Sequence, residues 1–278
     1  MIDFIGLGAQ KSGTSWVYAC LYEHPEICAP VKEIHFFSRP RFEKGKEWYE
    51  SHFSRCGMDK RKGEFSTSYL YSEDAAERIR FLYPDAKLIA ILRNPVDRAV
   101  SQYLNSIKSG EIQESLSFAD FLAQEKSALE QGMYAAQLQR YFDRFPREQL
   151  LVLVYEDIRK DPRQFIRSVY SFLDIDAAFE PSMLNREVNV ARTPKHVGIE
   201  RIMHRMAEFL RRNGLDRFVH WVRTTGLPDM VRRGNTKKTE QVHYDRVVLA
   251  RTFAEDVGKT SELIGRDLNT EWNIHYEA

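Results

Sequence analysis

Phe4-Ile5-Gly6-Leu7-Gly8-Ala9-Gln10-Lys11-Ser12-Gly13-Thr14-Ser15-Trp16 reads as a short apolar strand that runs into a Gly/Lys/Ser/Thr turn and then opens a helix. Backbone N–H groups at a helix N-terminus have no partner within the helix and sit at the positive end of its dipole, so such a turn attracts an anion. Lys11 and the hydroxyls of Ser12, Thr14 and Ser15 add donors, which makes the turn a phosphate cradle.

Working outward, Gly8 and Gly13 have the spacing of the two glycines in G-x-x-x-x-G-K-[ST], the nucleotide-triphosphate loop. Thr14 stands where that pattern needs Lys, and Lys11 precedes the second glycine instead of following it. A kinase also needs carboxylates to hold Mg²⁺ on the phosphates. The next strand-like run, Lys87–Leu92, ends in Arg93-Asn94-Pro95, a cation where such an acid would stand. The expectation is a site that holds anionic groups with protein cations and amides and no metal. A P-loop nucleotide kinase and a non-catalytic nucleotide-binding module are the alternatives.

The loop and the Arg93 segment together resemble the two cofactor motifs of the sulfotransferases that use 3′-phosphoadenosine 5′-phosphosulfate (PAPS). The resemblance implies that Lys11-Ser12-Gly13-Thr14-Ser15 holds the 5′-phosphosulfate. It also implies that Arg93 and Ser101, in Leu92-Arg93-Asn94-Pro95-Val96-Asp97-Arg98-Ala99-Val100-Ser101, hold the 3′-phosphate. Pro95 suits the first turn of a helix, Ser101 then falls nearly two turns in, and Arg93 offers a forked phosphate donor.

Lys32-Glu33-Ile34-His35-Phe36-Phe37 resembles the K-E-x-H-F-F segment of the heparan-sulfate-type and bacterial carbohydrate sulfotransferases, whose Glu is taken as the catalytic base. The resemblance makes Glu33 the base and His35 a neighbour that orients it or the acceptor. An extended segment would place both side chains on one side. Where the heparan enzymes carry E-K-[ST]-P-x-Y, this chain reads Glu64-Phe65-Ser66-Thr67-Ser68-Tyr69, with Phe65 at the Lys position. That departure favours the broader bacterial branch. Tyr155-Glu156-Asp157 and Gly265-Arg266-Asp267-Leu268 with Trp272 also match family segments. Lys237 and Lys238 stand about where relatives have a basic loop over the cofactor.

At 278 residues, with 43% hydrophobic residues and no low-complexity linker, the chain 1–278 is expected to form one sulfotransferase domain. Strand-like runs at Asp3–Leu7, Leu88–Leu92 and Leu150–Tyr155 alternate with helical stretches near 14–24, 72–83, 96–109, 118–130, 134–145, 162–173 and 244–264. They imply an α/β fold with a P-loop-like parallel sheet flanked by helices, whose ligands bind beyond the carboxyl ends of the strands.

A net charge of +1 gives no global pull toward nucleic acid. The Arg-rich stretch 200–238 is basic and amphipathic. It can touch an anionic membrane surface, line an acidic acceptor site, or be a solvated helix face. Apolar runs are strand-length and the first strand begins almost at Met1, so a cytoplasmic location is expected. Cys20, Cys28 and Cys56 lack metal-ligand spacing and are expected to be reduced thiols.

The expected activity is metal-independent transfer of a sulfuryl group from PAPS to the hydroxyl of a carbohydrate or small-molecule acceptor, with PAP as the other product. Glu33 would act as base and Lys11 would stabilise the transferred group.

Overall fold

The computed structural model describes residues 1–38, 40–185, 192–194, 236–238 and 242–274, with 192–194 and 236–238 described as backbone. The Arg-rich stretch singled out above lies largely outside the described residues, as does any role for it. The chain divides into two compact units: Met1–Arg98 with Gln131–Val188 and Arg246–Ala278, and Ala99–Glu130 with Asn189–Asp245.

The first unit is built on a five-stranded sheet: β1 (Phe4–Gly8), β2 (Ile27–Cys28), β3 (Arg61–Phe65), β4 (Lys87–Leu92) and β5 (Leu150–Val154), in the order β2-β3-β1-β4-β5. Every pairing is parallel, as expected for short apolar strands separated by helices. Along β4, Ile89 and Ile91 enter one core cluster while Leu88, Ala90 and Leu92 are equally buried, so both faces of this central strand are covered. The cluster gathers Trp16, Val17, Cys20 and Leu21 of α1 (Thr14–Glu23), Phe165, Ile166, Val169 and Tyr170 of α9 (Pro162–Phe172), and Phe4 and Phe65 of the sheet.

The other helices are α2 (Gly45–Ser51), α3 (Ala75–Leu82), α4 (Pro95–Ser109), α5 (Phe118–Gln124), α6 (Ser127–Glu130), α7 (Tyr134–Phe142), α8 (Tyr155–Lys160), α10 (Arg246–Ile264) and α11 (Leu268–Trp272). Several carry the caps their sequences advertise. Asp161 accepts from Gln164 N ahead of Pro162, and Ser117 accepts from Asp120 N at the start of α5. The second unit holds α5, α6, the later turns of α4 and a short antiparallel pair, β6 (Arg192–Pro194) and β7 (Thr236–Lys238). Among the described residues no helix is long and apolar enough to cross a membrane.

Two sequence expectations change. The segment 32–37 is not extended: Glu33 and His35 take left-handed backbone angles, φ 63° and 55°, and form a turn. The cysteines are not three thiols either, since Cys28 at the end of β2 is disulfide-bonded to Cys56 in the loop after α2, leaving Cys20 free and buried. Spacing could not reveal this pair, because β2 and the loop meet only once the sheet has formed.

Closing a loop between residues 28 apart constrains the unfolded chain by about 3–4 kcal/mol in the chain-entropy picture. Burial pushes the Cys20 thiol up to about 12, so the native protein should show no reactive thiol. Unfolding without reductant should release one thiol and with reductant all three of the chain's cysteines. Three thiols without reductant would show that the bond does not form.

Candidate active site

The site is assembled where β3, β1 and β4 end side by side. β1 leads into the turn 9–13, and Ala9 N donates to Ile91 O of β4 at 2.8 Å. Gly13 ends the turn in a left-handed conformation (φ 84°) and provides no side-chain cap, so the first amides of α1 remain available to an anion. A side chain there would collide with α8, since a Cβ would lie 2.8 Å from both Ile158 Cδ1 and Tyr155 Cδ2. Ser12 is fully buried, and its Oγ has no hydrogen-bond partner among the described residues. An unanswered buried hydroxyl beside a helix N-terminus fits a ligand oxygen.

Arg93 follows β4 and reaches the same turn. One guanidinium nitrogen donates to Lys11 O at 2.9 Å, the plane lies over the Tyr155 ring at 4.6 Å, and Nε is buried without a hydrogen-bond partner among the described residues. Its backbone is fixed as well: Tyr134 Oη donates to Arg93 O, while Asn94 N donates to Glu156 Oε1 and Asn94 Oδ1 accepts from Val96 N at the start of α4. Trp272 Nε1 donates to the other Glu156 oxygen at 3.1 Å. Arg266 makes a bidentate ion pair with Asp157. The Tyr155-Glu156-Asp157 segment and the C-terminal Arg266 and Trp272 therefore brace the Arg93 loop.

The acid side comes from the turn 32–37. Glu33 Oε1 accepts from Lys32 Nζ at 2.5 Å, and Oε2 accepts from Thr67 N at 3.0 Å and Thr67 Oγ1 at 3.1 Å. His35 Nε2 lies 3.2 Å from the same Oε2, and its Nδ1 is 2.7 Å from Ser68 Oγ. A carboxylate facing Nε2 calls for a proton there, so in the neutral ring Nδ1 accepts from Ser68. Burial pushes the Glu33 carboxyl up, but Lys32, His35 and the Thr67 amide outweigh it and hold the group below its ordinary value. Glu33 is thus ionised and partly reachable, with a side chain 26% exposed.

Thr67 joins the two halves. Its carbonyl lies so close to Gly8 that a Cβ there would stand 2.8 Å away, while its amide and hydroxyl hold Glu33. Sequence reasoning named the turn residues, Arg93, Glu33 and His35, but it missed Thr67 as the partner of Glu33 and Ser68 as the partner of His35. The run of hydroxyls in Ser66-Thr67-Ser68-Tyr69, directly after a strand, was the available signal.

Phe65, where heparan enzymes carry Lys, points away into the core cluster beside Phe4 and over Gly6, whose missing side chain leaves room for its ring. Ser101 sits half-buried on α4 in the second unit. Lys237 and Lys238 sit on β7, where Lys237 pairs with Thr193 and Lys238 with Arg192.

The sulfotransferase-domain family model matches residues 2–215. Human bifunctional heparan sulfate N-deacetylase/N-sulfotransferase 3 is 32% identical over 194 residues, 62% of this chain and 22% of that protein. Mouse heparan sulfate glucosamine 3-O-sulfotransferase 3B1 is 34% identical over 176 residues, 61% of this chain and 45% of that protein. The chain thus spans under half the length of these curated relatives. Among solved structures, a sulfotransferase from Alicyclobacillus acidocaldarius superposes over 98% of this chain and 99% of its own with a TM-score of 0.71 at 29% identity. With the strand–turn–helix cradle and the acid-bearing turn in place on a five-stranded parallel sheet, the chain belongs to the sulfotransferase-domain family.

Proposed function

We propose that the protein transfers a sulfuryl group from PAPS to a hydroxyl of a carbohydrate or other alcohol acceptor. The observation that carries the reading is the convergence on one strand-end site of an anion cradle with unanswered buried donors, Ser12 Oγ and Arg93 Nε, and an ionised carboxylate, Glu33, tied to it through Thr67. PAPS supplies the sulfuryl group and a 3′,5′-bisphosphate leaving group, and Ser12–Ser15 with Lys11 hold its 5′-phosphosulfate. Arg93 serves the 3′-phosphate, and the family resemblance adds Ser101, with Lys237 and Lys238 closing over the nucleotide. The full chain 1–278 acts as one sulfotransferase domain in this reading.

Glu33 takes the acceptor proton as the acceptor oxygen bonds to sulfur, and the bond from sulfur to the bridging phosphate oxygen breaks. Lys11, Ser12 and the α1 amides stabilise charge on the transferred sulfuryl group, which carries less charge than a phosphoryl group, and on the departing phosphate. His35 orients Glu33. Glycan acceptors are favoured because the curated relatives are named for heparan sulfate.

Transfer of label from ³⁵S-PAPS to a panel of desulfated glycans and small alcohols tests the reading. Lys11→Ala should lower kcat by about 10²–10³-fold, the scale of one lost transition-state donor. Glu33→Gln should lower it about 10²–10⁴-fold with PAP affinity nearly intact. Normal turnover in either variant would remove that residue from its role.

Because the Glu33 carboxyl lies below its ordinary value of 4.5, base function is lost only as pH falls through that lowered value. The acid limb of kcat/KM should therefore lie below pH 4.5, and Lys32→Ala should move it upward. A limb near pH 6 in the wild type, unmoved by Lys32→Ala, would point to another group.

A further inference from the structure

Glu64 on β3 is fully buried next to the site, yet the chemistry above makes no use of it. Its Oε2 accepts from Ser66 Oγ at 2.7 Å and its Oε1 from Tyr69 Oη at 2.5 Å. Each hydroxyl also accepts a backbone N–H from the acid-bearing turn: His35 N donates to Ser66 Oγ at 2.9 Å, and Phe36 N donates to Tyr69 Oη at 2.9 Å. One buried carboxyl thus stands behind two consecutive amides of that turn.

The turn needs such support. Glu33 and His35 both sit at left-handed angles, which non-glycine residues keep only where the surroundings over-determine them. Among the described residues the backbone of this segment is also held by Glu33 N on Phe65 O, Arg41 on Ile34 O and Arg78 on Phe37 O. From 33 to 37 each residue has one backbone group pinned, and the two central amides depend on hydroxyls oriented by Glu64.

We propose that Glu64 is a positioning residue which, through Ser66 and Tyr69, fixes the His35–Phe36 backbone and so aims the Glu33 carboxylate and the His35 ring at the reacting centre. This rests on the reading of Glu33 as the base. Burial pushes the Glu64 carboxyl up to about 8, against the pull of its two hydroxyl partners. That favours the neutral acid, in which one of the two hydroxyl bonds reverses: one oxygen donates to its hydroxyl while the other still accepts. A glutamine reproduces that pattern, whereas a leucine of similar volume leaves Ser66 Oγ and Tyr69 Oη with their backbone donors but with nothing on the other side to orient them.

Amide hydrogen exchange over residues 32–37 in wild type, Glu64→Gln and Glu64→Leu, together with PAP affinity and PAPS-dependent turnover, tests this. Glu64→Leu should speed exchange at His35 and Phe36 by roughly tenfold or more, leave β1 and β4 protected, and keep PAP affinity within about threefold. Its kcat should fall by about 10–10²-fold with little change in KM for PAPS, the cost of a misplaced catalytic group. Glu64→Gln should retain both protection and turnover.

Unchanged exchange at 35 and 36 in Glu64→Leu would overturn the proposal. So would deprotection spread equally over the sheet, loss of PAP affinity in step with kcat, or a Glu64→Gln variant as impaired as the leucine. If Glu64→Leu does not fold, Tyr69→Phe removes only the hydroxyl that receives Phe36 N and should deprotect that amide selectively; full protection there overturns the proposal equally. A wild type that neither binds PAP nor consumes PAPS would instead refute the functional reading, and the exchange result would stand apart from it.

Discussion

The whole site depends on how closely the chain can pass the end of β1. Gly8 lets the Thr67 carbonyl approach to a distance that any side chain would forbid, and that approach sets the loop after β3 against the anion turn. Ser66 N and Leu70 N extend the same contact by donating to Gly6 O and Leu7 O. Thr67 can then present its amide and hydroxyl to Glu33 while its carbonyl faces the cradle. The relation between phosphate turn and acid is therefore a backbone relation. Parallel strands ending at one edge make it available, and this edge is where open α/β sheets bind ligands.

Electrostatics divide the work between two carboxyls that are close in space and opposite in character. Glu33 is held ionised by Lys32, His35 and Thr67 against its burial, whereas burial drives Glu64 toward the neutral acid. Pairs of acids whose environments push their pKa values apart commonly serve different roles. One faces the acceptor in our reading and the other faces the backbone that carries it. Arg93 and the α1 dipole bring positive charge to the cradle.

Much of this was legible in the sequence where local pattern and tertiary role agree. β1, β4 and β5 are uninterrupted apolar runs, and the glycines around Lys11 mark a turn that only a strand-to-helix connection explains. β3 was not legible: Arg61-Lys62-Gly63-Glu64-Phe65 has one large apolar residue, and it becomes an interior strand because Gly63 leaves room for Phe4 and the Phe65 ring packs over Gly6 of the neighbouring β1, with Glu64 buried through hydroxyl partners. β2, two residues long, has no periodicity to read. The shape of 32–37 is imposed by anchors from distant segments, among them Ser66, Tyr69, Arg41 and Arg78. Glu33 and His35 still meet, through the turn and not through a shared strand face. The Cys28–Cys56 bond was hidden for the same reason, since both partners are placed by the sheet.

The most direct test of the central claim is calorimetric titration of the protein with 3′,5′-adenosine bisphosphate, ADP and ATP, each with and without Mg²⁺, in wild type and Arg93→Ala. The account predicts selective, metal-independent binding of the bisphosphate that weakens in Arg93→Ala, because a forked charged donor to the 3′-phosphate has been lost. Preference for ATP with Mg²⁺, or bisphosphate binding indifferent to Arg93, would contradict it.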